Sequence, residues 1–293
     1  MENINIENFK VQAGEPIDLE TISTSPNLDN ISDDEINKRL DENAEALGEW
    51  QQKLMAEKTN GIIFVLQALD AAGKDEAERY LFSRLSPQAL HTTSFDQPND
   101  EEKNHDYLWR LHAAMPERGV IAVFNRSHYE DLIAARVYDS IKDNPLPKEI
   151  KNDPDIWHKR FKHVNNFEEY LAENAFDMIK IYLHVSKETQ KERLLNRIEN
   201  EDKNWEFSFS DLTDRDKWSE QMGVFEDTFQ HTSTESAPWY VVPADHGEYG
   251  RLVISEILLD KMEELDPQYP KISDEEKEKM AEAAEELRSG KYD

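Results

Sequence analysis

Phe64-Val65-Leu66-Gln67-Ala68-Leu69-Asp70-Ala71-Ala72-Gly73-Lys74-Asp75 is the stretch on which the fold turns. The apolar run from Ile62 to Leu66 has the length and branching of a buried strand, and small residues, a Gly-Lys pair and an amphipathic segment follow at once. That order describes a phosphate loop. In such a loop, backbone N–H groups and a helix N-terminus surround phosphate oxygens while the lysine ammonium reaches the outer phosphates. The spacing from Ala68 to Gly73-Lys74 is that of G-x-x-x-x-G-K-[ST], with Ala68 at the first glycine and Asp75 at the hydroxyl position. The competing reading is a plain strand-turn-helix corner, with Gly73 supplying the turn and Lys74 solvated.

Outside this stretch, the chain of 293 residues can bury a substantial core as one large α/β domain or two small ones. Its 38% hydrophobic and 33% charged residues describe a globular protein with a heavily charged exterior. No apolar run approaches the ~20 residues that span a bilayer. The N-terminus, with Glu2 and Glu7, has neither a basic segment nor an apolar one, so a cytoplasmic location is expected. Zero cysteines remove disulfides, thiolate nucleophiles and Cys-based metal sites together, so oxygen or imidazole must hold any metal. The formal net charge of -29 repels nucleic acid and anionic membranes, and neither is expected as a partner. A polyanionic substrate needs a local basic channel.

Residues 1–31 read as an extended surface arm, and Ser32-Asp33-Asp34-Glu35 has the form of a capping box. Behind it, Ile36, Leu40, Leu47, Trp50, Leu54 and Met55 recur at helical spacing and predict a helix from about 33 to 57. Helices are expected at 75–84, 100–115, about 163–175 and about 249–265, and strands at 90–95, 120–124, 179–185 and 239–242. Strands alternating with helices imply a parallel sheet covered on both faces, a three-layer α/β architecture. Residues 139–162 read as a surface excursion, and 186–230 as a helical excursion suited to a mobile lid. Residues 272–293 read as a charged, solvated helix or tail. The expected division is an arm and helix over 1–57, a phosphate-loop domain over 58–271 and the appendage 272–293.

Phosphoryl transfer asks for positioning and positive charge around the transferring oxygens. The 120–124 strand runs into Asn125-Arg126-Ser127-His128-Tyr129-Glu130-Asp131, and ligands of open parallel sheets bind beyond the strands' carboxyl ends. Arg126 is therefore the candidate charge-stabilising arginine, with a surface pair to Glu130 as the bland alternative. Mg²⁺ needs one or two carboxylates plus phosphates, and Asp70 leads as metal ligand or acceptor-orienting group, with Glu130 and Asp131 behind it. The histidines show no metal-ligand spacing, and Ser127 has no partner base. In the excursion, Lys187, Lys191, Arg193, Arg197 and Lys203 follow the fourth strand. Arg193 and Arg197 share one helix face and could close over phosphates, while Glu188, Glu192 and Glu199 offer ordinary helix ion pairs.

With these residues assembled, the sequence resembles the polyphosphate kinase 2 family, most closely the branch that phosphorylates nucleoside mono- and diphosphates. The resemblance runs through 65–77, Asn104 to Arg110, Phe124 to Asp131, Arg136-Val137, Asn204 to Ser208, and Thr232 to Asp245. It implies a P-loop kinase-like fold, phosphoryl transfer between polyphosphate and AMP or ADP, Mg²⁺ as cofactor and a homo-oligomer. By resemblance Asp70, Lys74 and Arg126 serve catalysis, and Asp70 holds the metal. Ala71, Ala72, Gly73, Asp75, Asn125, Arg136, Arg193 and Arg197 then bind phosphate or nucleotide, with Arg193 and Arg197 in the lid. Asn125 falls where many members carry an aspartate.

Four departures stand against this pattern. Ala68 replaces a glycine and could demand a disfavoured backbone geometry, Glu76 replaces another, and Asp96 and Gly247 replace lysines. An Mg²⁺-dependent kinase is one reading; a degenerate relative that binds nucleotide or a partner protein and regulates or scaffolds is the other. Within the enzyme class, a changed phosphate donor is a further alternative.

Overall fold

The computed structural model describes residues 4–26 and 31–292; residues 1–3, 27–30 and 293, which belong to the arm and tail expected above, lie outside them. The apolar run of the quoted stretch forms β1 (Gly61–Ala68), buried along its length except at its last residue. Four further strands join it: β2 (Leu90–Ser94), β3 (Ile121–Asn125), β4 (Phe176–His184) and β5 (Trp239–Pro243). All pair in parallel in the order β2-β3-β1-β4-β5, so β1 lies at the centre. The chain moves to one side of β1 for β2 and β3 and crosses to the other for β4 and β5. Ligands settle where strand order reverses in this way.

Alternate residues of β1, β3, β4 and β5 feed opposite faces, which is why these strands read as largely apolar runs, whereas the edge strand β2 is polar and mostly exposed. Phe64, Leu66, Ile121, Ile181 and Val242 pack on one side, and Ile63, Val65, Phe124, Tyr182 and Trp239 on the other. The helices of the described residues follow in chain order as α1 (Asp33–Glu57), α2 (Lys74–Phe82), α3 (Trp109–Ala113), α4 (Ala134–Val137), α5 (Lys148–Lys151), α6 (Ile156–Glu173), α7 (Lys187–Glu199), α8 (Ser210–Asp216), α9 (Trp218–Thr232), α10 (Gly247–Leu265) and α11 (Asp274–Arg288). The three-layer α/β architecture expected from the alternation is what the chain adopts. The arm lies along β5, where Val241 N–H donates to Phe9 O and Val11 N–H to Trp239 O, each at 2.8 Å. No helix among the described residues is long and apolar enough to cross a membrane.

Several boundaries differ from the sequence reading. The helix expected over 100–115 is broken into a turn at Glu102–Asn104 and the short α3. Asn99 Oδ1 accepts from two backbone N–H groups and Asp106 Oδ1 from Leu108 N–H, so local side-chain bonds displace helical ones there. The excursion at 139–162 is shorter than expected, because α6 starts at Ile156 and buries Arg160 and Phe161 in its first turns. Ser32 caps α1 through Glu35 N–H, whereas the reciprocated capping box forms at Ser273 and Glu276. The tail resolves into α11, which buries no residue.

Candidate active site

The register sets the site. Leu66 pairs with Asn125 and Asn125 with Ser94, so β2 and β3 end level, β1 runs on only to Ala68, and the segments leaving the three strands share one edge. The loop after β1 turns through Ala71 at φ 58° and Gly73 at φ 100°, and α2 begins at Lys74. Ala68 is still strand and carries no positive φ, so its backbone does not need glycine, contrary to the geometric concern raised by the sequence. Lys74 is not solvated: it is 8% exposed, and Nζ donates to the Ala68 and Leu69 carbonyls at 3.0 and 3.1 Å. Burial lowers its pKa, and Asp70 offsets part of that effect.

Arg126 leaves β3 in the left-handed region, φ 61°, with its N–H held by Leu66 O at 2.9 Å. Its guanidinium bonds Asp70 Oδ1 at 3.1 Å inside the crevice, while Glu130 acts on it through space, so both carboxylates serve the arginine. Burial pushes the Asp70 carboxyl up, but Lys74 and then Arg126 more than reverse this and leave it below the usual range. Asp214 of α8 comes within hydrogen-bonding reach of Asp70 and shifts the other way, raised first by burial. Glu130 is raised by burial, with Arg126 and Lys74 countering in part. Asn125 Nδ2 donates to Asp75 Oδ1 at 2.7 Å and Glu78 Oε2 at 2.9 Å. An aspartate at 125 would face two carboxylates, which is a physical reason for the amide.

Among the described residues no group of three or more His, Asp or Glu side chains could hold a metal ion. A Mg²⁺ ion does not need one, because it takes one or two carboxylates and fills its shell with phosphate oxygens and water. The ionised Asp70, with Asp214 opposite, fits that requirement. Asp131 does not, being engaged by Arg110 at 2.9 Å.

The arginines of the excursion divide. Arg193 donates to the carbonyls of Ala72 at 2.8 Å and Ala244 at 2.6 Å, and more weakly to Ala71 and Asp245, so it braces the loop's backbone against the end of β5. Gln190 supports the same loop through Asp70 O at 2.9 Å, and Arg215 of α8 holds Gln190 Oε1 at 2.8 Å. Arg197 lies near Glu206 and Asp211 at 3.5 and 3.8 Å. Lys191 makes the ordinary helix pair with Glu188. Arg136 on α4 bonds Asp227 of α9 at 2.5 Å.

Asp70, Lys74 and Arg126 therefore converge at the carboxyl ends of the strands, in the geometry of a phosphate loop facing an arginine. The sequence profile of the polyphosphate kinase 2 family matches residues 30–270. The chain belongs to that family. It is 36% identical over 285 residues to an ADP-polyphosphate phosphotransferase of Rhodopseudomonas palustris, covering 97% of this chain and 99% of the relative. It is 38% identical over 235 residues to an AMP/ADP-polyphosphate phosphotransferase of Meiothermus ruber, covering 80% of this chain and 81% of that one. The crystal structure of polyphosphate kinase 2 from Arthrobacter aurescens superposes with a TM-score of 0.86 at 32% identity, over 95% of this chain and 96% of that one.

Within this member of the family, two of the residues that depart from the pattern face solvent. Glu76 and Asp96 are exposed, and Asp96 acts on Arg126 only through space. Several residues beside the site escaped sequence reasoning, notably Asp214, Gln190, Arg215 and the buried Lys180. Lys180 had a signal: a charge within the apolar run from Met178 to Leu183, on a strand covered on both faces. Asp214 had none, because the closeness of α8 to the loop is tertiary.

Proposed function

We propose that the protein transfers a phosphoryl group between inorganic polyphosphate and AMP or ADP, with Mg²⁺ as cofactor, acting in the cytoplasm as a homo-oligomer. The convergence of Asp70, Lys74 and Arg126 carries this reading, and the names of the relatives support it. In the proposed division, residues 58–271 carry the reaction, with 1–57 packed against them and 272–293 as an appendage.

Transfer of this kind asks the protein for positioning and charge, with no covalent enzyme intermediate. Lys74 releases the Ala68 and Leu69 carbonyls to bridge phosphate oxygens, and the N–H groups of the loop from Ala71 to Asp75 cradle them. Arg126, steered by Asp70, meets charge developing on the transferring group. Asp70 would hold a Mg²⁺ ion, which would supply charge neutralisation at the phosphate oxygens. Arg136 and Arg197 add positive charge from the surrounding helices. Arg193 shapes the loop from behind through the Ala72 and Ala244 carbonyls.

The test is formation of ADP and ATP when purified protein meets polyphosphate, Mg²⁺ and either AMP or ADP, with Lys74→Ala run beside it. The expected outcome is turnover that Lys74→Ala reduces by at least about a thousandfold, the scale of a lost transition-state charge. Folded wild-type protein without turnover on either acceptor overturns the reading.

A further inference from the structure

Lys180 stands on β4 among Ile179, Ile181 and Tyr182, and its side chain is wholly buried. All three ammonium donors are placed: Nζ donates to Glu168 Oε2 at 2.6 Å, Thr232 O at 2.7 Å and the Tyr129 hydroxyl at 3.0 Å. Glu168 of α6 is buried too, and its other oxygen accepts from the Tyr129 hydroxyl at 2.8 Å. His128 Nε2 lies 3.4 Å from that same oxygen. The rings of Tyr129 and Trp239 flank the ammonium, each centroid 5.4 Å away.

A charge pair sealed in this way contributes little net stability, because desolvation offsets the attraction, and apolar replacements of similar volume are often neutral or stabilising. Its consequence is geometric. The network ties α6, β4 and the end of α9 to one short turn, residues 127–131, which follows Arg126 at the end of β3 and carries Glu130. Two observations mark that turn as held in place. Arg126 keeps its left-handed backbone, a conformation that persists in non-glycine residues only where the surroundings over-determine it. The Gln67 amide, oriented to satisfy both its ends, accepts from Ser127 N–H at 3.1 Å and donates to Glu130 Oε1 at 3.0 Å, linking the turn to β1.

We propose that Lys180, Glu168 and Tyr129 form a positioning network that holds the Arg126–Glu130 turn against the phosphate loop, so that its loss lowers turnover without unfolding the protein. The inference rests on the phosphotransferase reading of Lys74 and Arg126. None of the three residues touches substrate; they act through Arg126.

Two variants test it. Tyr129→Phe keeps the ring's edge-to-face contact with Trp239, at 4.7 Å, and removes only the hydroxyl. The expected result is a kcat lowered about tenfold, with KM for ADP and for polyphosphate each within about twofold of wild type, the signature of a contact that matters in the transition state. Its thermal midpoint should fall by no more than about 5 °C. Lys180→Met with Glu168→Leu replaces the pair by apolar side chains; its midpoint is expected near or above wild type while kcat falls at least about tenfold. Wild-type kcat in folded Tyr129→Phe overturns the proposal, as does a double variant that keeps full turnover. If the double variant does not fold, Tyr129→Phe decides alone. Lys74→Ala in the same assay separates the two readings. Turnover abolished by Lys74→Ala but untouched by Tyr129→Phe sinks only the network, whereas no turnover from wild type removes both.

Discussion

Gly73 and Ala68 occupy the two glycine positions of the phosphate-loop pattern, and only Gly73 needs to be glycine. Its φ of 100° lies where side chains are strained, and a Cβ there would meet Arg193 Nη1 at 3.6 Å. Gly73→Ala should therefore destabilise the protein by about 1–2 kcal/mol through backbone strain, measured by urea unfolding. Ala68→Gly has no such strain to relieve and is expected to leave stability unimproved. Asp96 illustrates the opposite case, a departure whose effect is electrostatic and solvent-screened. Unit charges 4 Å apart in water interact by only about 1 kcal/mol, so Asp96→Lys should lower KM for polyphosphate by about threefold to tenfold with kcat little changed. At this scale the sequence was informative about residue identity and silent about partners. Arg126 was legible as a site residue; its hydrogen bond to Asp70 was not, since Asp70 arrives from the loop after another strand.

Among the elements, α7 is the one whose role changed most between sequence and structure. Read as a lid helix, it places Arg193 and Gln190 against the loop's own carbonyl groups and joins β5 to the phosphate loop. Arg193→Lys removes the planar fork that reaches both Ala72 and Ala244, and a single ammonium cannot span the same acceptors. Stability should drop by about 1–3 kcal/mol, the range for charged hydrogen bonds, with kcat falling because the loop loses its brace; urea unfolding and steady-state kinetics read the two separately. The helix expected over 100–115 shows the limit of periodicity. Its apolar spacing was real, but Asn99 and Asp106 offered the backbone closer partners than a helix would.

For the whole molecule, charge sets the expectations. A net charge of -29 surrounds a crevice that must accept a polyanion, so added salt acts in two directions. Screening the surface should first improve polyphosphate affinity between low and moderate ionic strength; affinity that only weakens from the start would mean that local cationic contacts outweigh the surface. Acid acts on the site before the fold. Glu130 and Asp214 are raised above 4.5 and 3.8, chiefly by burial, so they gain protons first as pH falls. Glu168 and Asp70 are lowered: burial raises each, and Lys180 and Lys74, respectively, lead the reversal. Their contribution to stability is complete above their unfolded values and is lost only as pH falls through the depressed folded ones. The expected outcome is an acid limb in kcat/KM lying at higher pH than acid unfolding followed by circular dichroism.

Local order sufficed for the strand, loop and helix around Lys74, for the alternation that makes the sheet parallel, and for the candidacy of Asp70 and Arg126. These are properties of neighbouring residues: apolar runs, turn-forming residues and spacing along one chain segment. The pairing of Asp70 with Arg126, the closeness of Asp214, the brace from Arg193 and the buried Lys180 network depend on segments far apart in sequence. Each arises because neighbouring strand ends and packed helices bring those groups together, where distance and burial choose the partner and set the charge.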